Sequence, residues 1–301
     1  MKKSTHNITP FLWFDDQAEE AVKFYTSIFH NAEIENITRY TKAGREIHGQ
    51  EAGKVMTVAF RLEDLNFTAL NGGPVFRFTP AISFFVTTES PEEIDHLYEN
   101  LIEGGSALMP LDKYPFGEKF GWVEDKFGLS WQLMLGSRHQ KIVPCLMFCG
   151  EQQGKTEEAM DFYTSIFEDP DIRMVSKYEE GETAINATVK HAEFSLNGQE
   201  YMAMDSGVEQ PFTFNEAISL VVLCHGQNEV NYYWNKLSAV REAEQCGWLK
   251  DQFGVSWQIV PTKLFKLMNV PDREKSQRVT EAMLQMKKIE IAELEKAYHG
   301  E

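Results

Sequence analysis

The amino-acid sequence predicts an α+β fold in which one βαβββ-βαβββ unit is used twice and a helical extension follows the second copy. Three observations predict it. First, Ala18-Glu-Glu-Ala-Val-Lys-Phe-Tyr-Thr-Ser-Ile-Phe29 returns as Thr156-Glu-Glu-Ala-Met-Asp-Phe-Tyr-Thr-Ser-Ile-Phe167, identical at nine of twelve positions. Second, Gly121-Trp-Val-Glu-Asp-Lys-Phe-Gly-Leu-Ser-Trp-Gln-Leu133 returns as Gly247-Trp-Leu-Lys-Asp-Gln-Phe-Gly-Val-Ser-Trp-Gln-Ile259, identical at eight of thirteen. Third, strand-like and helix-like patterns follow one another in the same order in both halves. The period is too long for a solenoid, so each copy is a domain: 1–138 and 139–261, with 262–301 as the helical extension.

The elements of one copy can be justified in order. Ile8 to Phe14 reads as a strand, with Leu12 and Phe14 sharing a face with Pro10. Ala18, Ala21, Val22, Tyr25, Ile28 and Phe29 recur at the spacing of one buried helix face. Strands are expected over Glu33–Tyr40, Lys54–Leu62 and Asn66–Leu70, and Asn71-Gly72-Gly73-Pro74 breaks the run. Ala81–Val86 is the next strand. Ser90 then caps a helix with Pro91 at its first position, and Glu93 completes a capping box. Gly104 to Tyr114 reads as a short strand and turn, and Ser130–Leu135 closes the copy after the Asp125-Lys-Phe-Gly128 turn. The second copy inserts Glu151–Lys155 and lacks a counterpart of Gly104–Tyr114, so the two sites should differ in openness. Beyond Pro261, Val279, Ala282, Met283, Met286 and Ile289 form one stripe, and a second short helix lies near Glu290–Tyr298. Such helices pack on a domain or a partner chain.

Composition narrows the function classes. The net charge of −17 argues against nucleic acid and against anionic membranes, both of which attract Lys and Arg. A solvated acidic surface accounts for the excess charge. No apolar run approaches the roughly 20 residues that cross a bilayer. Met1-Lys2-Lys3-Ser4-Thr5-His6 has no leader character, so a cytoplasmic location is expected. The four cysteines lie in the second half. Cys145 and Cys149 fall four apart on one strand, about 13 Å apart at about 3.3 Å per residue, too far for a disulfide. Buried reduced thiols are expected.

Several segments carry a family resemblance. Phe11-Leu-Trp-Phe14, Ala18-Glu-Glu-Ala21 and Phe24-Tyr25 open each copy's pattern; Asp125-Lys-Phe-Gly128 with Ser130-Trp-Gln132 closes it. Cys246-Gly-Trp-Leu-Lys-Asp-Gln-Phe-Gly-Val-Ser-Trp-Gln-Ile-Val-Pro261 and Ala282-Met-Leu-Gln-Met-Lys-Lys-Ile289 extend the match. The chain resembles, over nearly its whole length, the PhnB-like branch (3-demethylubiquinone-9 3-methyltransferase domain) of the glyoxalase/bleomycin-resistance/vicinal-oxygen-chelate superfamily. The resemblance implies paired βαβββ modules curled into half-open barrels whose concave faces are the sites. Single-copy relatives complete that arrangement by dimerising; a tandem chain completes it internally as a pseudo-dimer, and a homodimer of the whole chain is a further expectation.

Metal-dependent relatives place His on the first strand, His at the start of the fifth and Glu on the last. Carried over, these positions fall on Pro10 and Pro144, Ala81 and Ala217, and Gln132 and Gln258. Pro and Ala have no donor atom, and a neutral amide replaces carboxylate poorly, so no metal and no cofactor are expected. The expected ligand-binding face comprises Pro10, Leu12, Phe14, Ser83, Phe85, Gln132 and Met134, with Pro144, Leu146, Phe148, Ser219 and Gln258 in the second copy. Trp131 and Trp257 are assigned to the helix-side core, and Asp125 and Asp251 to their turns. The expected partner is a small, partly apolar or aromatic molecule held without metal. The alternative is an enzyme of the superfamily (isomerase, lyase, dioxygenase or the named methyltransferase) using acid–base residues or an unrecognised metal. No Gly-rich strand-to-helix turn for S-adenosylmethionine is visible, and no catalytic residue can be named.

Overall fold

The computed structural model describes residues 8–301; the expectation about a leader concerns residues that lie outside them. Period-two patterns become strands and 3.6-period patterns become helices, within a residue or two of expectation. The first repeat runs β1 (Ile8–Phe14), α1 (Ala18–Ile28), β2 (Ala32–Arg39), α2 (Arg45–His48), β3 (Val55–Leu62), β4 (Leu65–Asn71), β5 (Ile82–Thr88), α3 (Pro91–Ile102), β6 (Ser106–Tyr114), β7 (Gly117–Glu124) and β8 (Ser130–Leu135). The second runs β9 (Ile142–Phe148), α4 (Thr156–Ile166), β10 (Asp171–Lys177), β11 (Val189–Leu196), β12 (Gln199–Asp205), β13 (Ile218–Cys224), α5 (Gln227–Leu237), β14 (Trp248–Lys250) and β15 (Ser256–Pro261). Three helices follow: α6 (Thr262–Met268), α7 (Arg273–Leu284) and α8 (Ile291–His299). The stripe ending in Met286 and Ile289 therefore outruns α7, and its last members lie on the connector to α8.

The repeats exchange halves. A seven-stranded sheet has the order β14-β15-β13-β1-β4-β3-β2, and an eight-stranded sheet the order β10-β11-β12-β9-β5-β8-β7-β6. Each combines the first half of one repeat with the second half of the other. The seams are antiparallel: β1 meets β13 with Ile8 opposite Val222 and Leu12 opposite Ile218, and β5 meets β9 with Ser83 opposite Cys145. This is the internal pseudo-dimer implied by the sequence resemblance.

The helix-facing sides of both sheets share one core. It contains Ile8, Leu12, Tyr25, Phe60, Phe84, Trp131, Tyr163, Phe194 and Trp257, all at most 1% exposed. Phe67 of one sheet packs edge-on against Phe84 of the other, ring centroids 5.0 Å apart. The expected core role of Trp131 and Trp257 is what the structure shows. Each indole is tied to the turn before it: Asp125 Oδ2 accepts from Trp131 Nε1 at 2.9 Å and Tyr25 Oη at 2.7 Å, while Oδ1 accepts from the Phe127 and Leu129 amides. Asp251 repeats this with Trp257, Tyr163, Phe253 and Val255. Burial pushes both carboxyls up, Asp251 to about 6, against the pull of these donors. Both carboxylates thus fasten the last strand to the first helix of the same repeat.

One local expectation is corrected. Ser90 caps α3 by accepting from the Glu93 amide at 3.1 Å, but the Glu93 carboxylate does not return to the Ser90 amide. It accepts from Thr88 Oγ1 and from Lys141 Nζ at 2.5 Å, because an ammonium is the stronger partner. The segment joining the repeats is tied to both of them. Lys141 also bonds Glu63 at 3.0 Å, and Gln140 Oε1 accepts from the Glu200 amide at 2.9 Å. All four cysteines are free thiols, as expected; three are buried and Cys246 is half-buried.

Candidate ligand-binding face

The two sheet faces turned away from the common core are built alike and finished differently. On the eight-stranded sheet, cross-strand register sets out the side chains row by row. One row runs Glu193, Met202, Cys145, Ser83 and Ser130; the next runs Glu200, Val143, Phe85, Gln132 and Trp122. Phe85, Phe120, Val143, Cys145 and Met202 form its apolar cluster, with Met109, Tyr114, Trp122, Met134 and Met204 packed around them. Every one of these residues is on a strand. At the floor, Gln132 Nε2 donates to Ser83 Oγ at 2.9 Å, and Trp122 Nε1 donates to Ser130 Oγ at 2.7 Å. The Cys145 thiol lies beside Gln132 and Ser83, and burial pushes it up to about 12, so it is a neutral thiol and not a nucleophile.

Charge gathers over β11 and β12. Arg138, on the linker between the repeats, donates to Glu193 at 2.9 Å and to Glu200 at 3.1 Å. Glu200 also accepts from Arg173, and His191 Nε2 lies 3.2 Å from Glu193. The Glu200 side chain is 2% exposed, so both guanidinium contacts compensate a buried charge.

On the seven-stranded sheet the equivalent floor is present: Gln258 Nε2 donates to Ser219 Oγ at 2.9 Å. Phe11 stands opposite Ser219, with Val221, Leu223 and Val260 nearby. Here the helical extension closes the face. Leu264, Leu267, Val279, Ile289 and Leu294 are buried against Val221 and Val260, joined by Met283, Met286 and Tyr298. The copy lacking a counterpart of Gly104–Tyr114 is therefore the covered one.

The expected ligand face is divided by this topology. Ser83, Phe85, Gln132 and Met134 lie together on the outer face of the eight-stranded sheet. Ser219 and Gln258 lie on the covered face of the other sheet. Leu12, Phe14, Leu146 and Phe148 pack in the helix-side core, and Pro10 and Pro144 share their strand phase, so their expected facing is corrected. Phe14 and Phe148 touch Phe127 and Phe253, the turn aromatics that contact α1 and α4. The outward positions on β1 and β9 are Phe11 and Trp13, and Val143, Cys145 and Met147. Strand β9 is buried on both faces, which erases the alternation that would have revealed its phase. Arg138 had no local signal, since it sits in a polar connector.

The superfamily metal does not fit either face. Around the Ser–Gln pairs stand Phe11 on one sheet and a protonated Cys145 on the other, with no imidazole or carboxylate beside them. Among the described residues no three His, Cys, Asp or Glu side chains converge as a metal would require. A separate open cavity of about 480 Å³ lies where the linkers after β4 and β12 cross, lined by Thr79, Glu151, Gln210, Phe212 and Asn215 among others.

Comparison with known proteins accords with this architecture. The family model for 3-demethylubiquinone-9 3-methyltransferase matches twice, at residues 6–134 and 140–260. The PhnB protein from Bacillus cereus is 44% identical over 42% of this chain and 98% of that one, with a TM-score of 0.39. A Staphylococcus aureus protein is 36% identical over 45% of this chain and 100% of its own, with a TM-score of 0.19. Glyoxalase I from Zea mays is 11% identical over 86% of this chain and 92% of its own, with a TM-score of 0.53, a likeness of fold alone. Among curated proteins none matches. Both repeats being matched along almost their full length, the chain belongs to the 3-demethylubiquinone-9 3-methyltransferase family and carries that family's unit in tandem.

Proposed function

We propose that the outer face of the eight-stranded sheet binds one small, partly apolar or aromatic molecule without a metal. The observation that carries this reading is the composition of that face: an aromatic and thioether wall around a Ser83–Gln132 hydrogen bond, with no helix in its apolar cluster. Aromatic rings and polarisable thioethers suit a flat apolar ligand, and the few polar groups fix its orientation. Ser83, Phe85, Gln132 and Met134 are the proposed contacts from the first repeat, with Val143, Cys145 and Met202 from the second. The seven-stranded sheet's Ser219 and Gln258 have no part in this site. The setting we propose is cytoplasmic, with 1–138, 139–261 and 262–301 as the units of the chain; among the described residues no helix is long and apolar enough to cross a membrane.

A second reading, acid–base catalysis on the same ligand, draws on one observation. His191 and Glu193 form an imidazole–carboxylate pair on the face that carries Met202 and Cys145. Methyl transfer draws no such support, since Asn71-Gly72-Gly73-Pro74 leads to strand β5 and not into a helix.

Native mass spectrometry of the full chain, purified without added metal, tests the main reading. The expected result is a chain mass with an organic adduct that is lost on denaturation, and loss of that adduct in Phe85→Ala. A stoichiometric divalent metal in the native ion would overturn the metal-free proposal.

A further inference from the structure

The helical extension stands where a second ligand would. We infer that residues 262–301 are a built-in occupant of the seven-stranded sheet's outer face, so that a chain with two related faces offers one binding site. The inference rests on the function proposed for the eight-stranded sheet's outer face and extends it to the one the helices cover.

Three observations support it. First, the extension sits over the positions equivalent to the proposed site. Phe11, Val221 and Val260 meet it, and they surround the Ser219–Gln258 pair just as Cys145, Phe85 and Met134 surround Ser83–Gln132. Val279, Ile289 and Leu294 are fully buried there. Second, the extension is hydrogen-bonded to the backbone beside the edge that the other repeat fills with a full strand. In the first repeat β6 pairs with β7 along Trp122 and Phe120. In the second repeat the shorter segment 239–245 meets β14 instead, through the Gln245–Trp248 bridge and the Ala239 amide on the Lys250 carbonyl. The α7–α8 connector then holds the two residues ahead of β14: the Cys246 and Gly247 amides donate to the Met286 and Lys287 carbonyls, both at 2.7 Å. Third, a side chain latches the connector. Gln227 donates to the Ile289 carbonyl at 3.1 Å and accepts from the Ile291 amide at 2.8 Å. Shortened strand and added helices are therefore complementary: one leaves an apolar face, and the other covers it and ties its connector to the backbone ahead of β14.

The test uses the neutral fluorescent probe N-phenyl-1-naphthylamine on the full-length chain, with stoichiometry read by titration and native mass spectrometry. Trp122 marks the eight-stranded sheet's outer face, and Trp13 with Trp248 marks the one the helices cover; single Trp→Phe variants assign the quenching. The wild type is expected to bind one probe and to quench Trp122. Ile289→Glu with Leu294→Glu, which places charge in the buried cluster, should bind two probes, the second quenching Trp13 and Trp248. A wild type that binds two, or whose one probe quenches Trp248, overturns the inference. So does a released variant that gains no site. If the wild type binds none and the released variant gains one at Trp248, the occlusion stands and the function proposed for the eight-stranded sheet's outer face fails. If the double variant does not fold, Gln227→Ala provides the second arm. Loss of two hydrogen bonds should raise hydrogen exchange at the Cys246 and Gly247 amides by about tenfold. Unchanged exchange there would overturn the latch.

Discussion

The outer faces of the two sheets start from the same plan and end as opposites. Both have a Ser–Gln hydrogen bond of 2.9 Å at the floor and an apolar wall around it. One wall is aromatic and thioether, is bordered by the β6–β7 hairpin, and has an ionic cluster at its edge. The other is aliphatic and sealed by α6–α8. The difference teaches that, once a unit is duplicated, one of two equivalent faces can be used for stability by burying the chain's own side chains. Its counterpart keeps a buried Glu200 whose charge must be matched; the equivalent position on the covered side is the neutral Asn66.

The comparison can be broken most forcefully at Arg138. Arg138→Ala removes one of the two guanidinium contacts of the buried Glu200 and should destabilise the chain by about 3–5 kcal/mol in urea unfolding. A cost near zero would mean that the cluster is solvated. Next is Leu294→Ala, a cavity under the extension, expected to cost about 2–4 kcal/mol while leaving the proposed ligand binding on the eight-stranded sheet unchanged. A change in that binding would couple the two faces.

A third prediction sets one repeat's turn against the other's. Burial raises the Asp251 carboxyl from its ordinary 3.8 to about 6, so the folded chain holds a proton that the unfolded chain releases. The resulting stabilisation is complete below about pH 4 and lost as pH rises through about 6, on the order of 2–3 kcal/mol. Asp251→Asn should flatten this part of the stability–pH curve more than Asp125→Asn does; an equal effect would place both carboxyls in one environment. The smallest effect is expected at the floor. Gln132→Ala and Gln258→Ala should each cost about 1 kcal/mol through the lost hydrogen bond to serine. Only Gln132→Ala should weaken binding of the small molecule, read by calorimetry.

Much of the fold was legible because local rules and repetition agree. The helix stripes, the Ser90 cap and the Asp125 and Asp251 turns all follow from residue chemistry a few positions apart. The faces were legible where a strand alternates or carries a polar marker, as at Ser83, Gln132, Ser219 and Gln258. They were not legible on β1 and β9. These strands lie inside their sheets with apolar neighbours on both sides, and Pro10 and Pro144 offered a false phase. The exchange of halves was not legible from periodicity, because identical modules satisfy the same pattern whichever partner they take. Arg138, Gln140 and Lys141 fix that choice through contacts with residues distant in the sequence. The covering of one face needed knowledge of where the extension lands, which an amphipathic stripe does not specify.

The exchange of halves also bears on how the chain is made. Strand β1 finds its seam partner only in β13, where Ile8 stands opposite Val222. At a synthesis rate of roughly 5–20 residues per second, the first strand waits about 10–40 s for the residues that complete its sheet. Through that interval the nascent first repeat exposes the edge of β1, whereas β5 waits only for β9. The seams bring high contact order and a correspondingly slow search, so the period of greatest risk for mispairing with a neighbouring chain falls on the ribosome, before residue 222 has emerged.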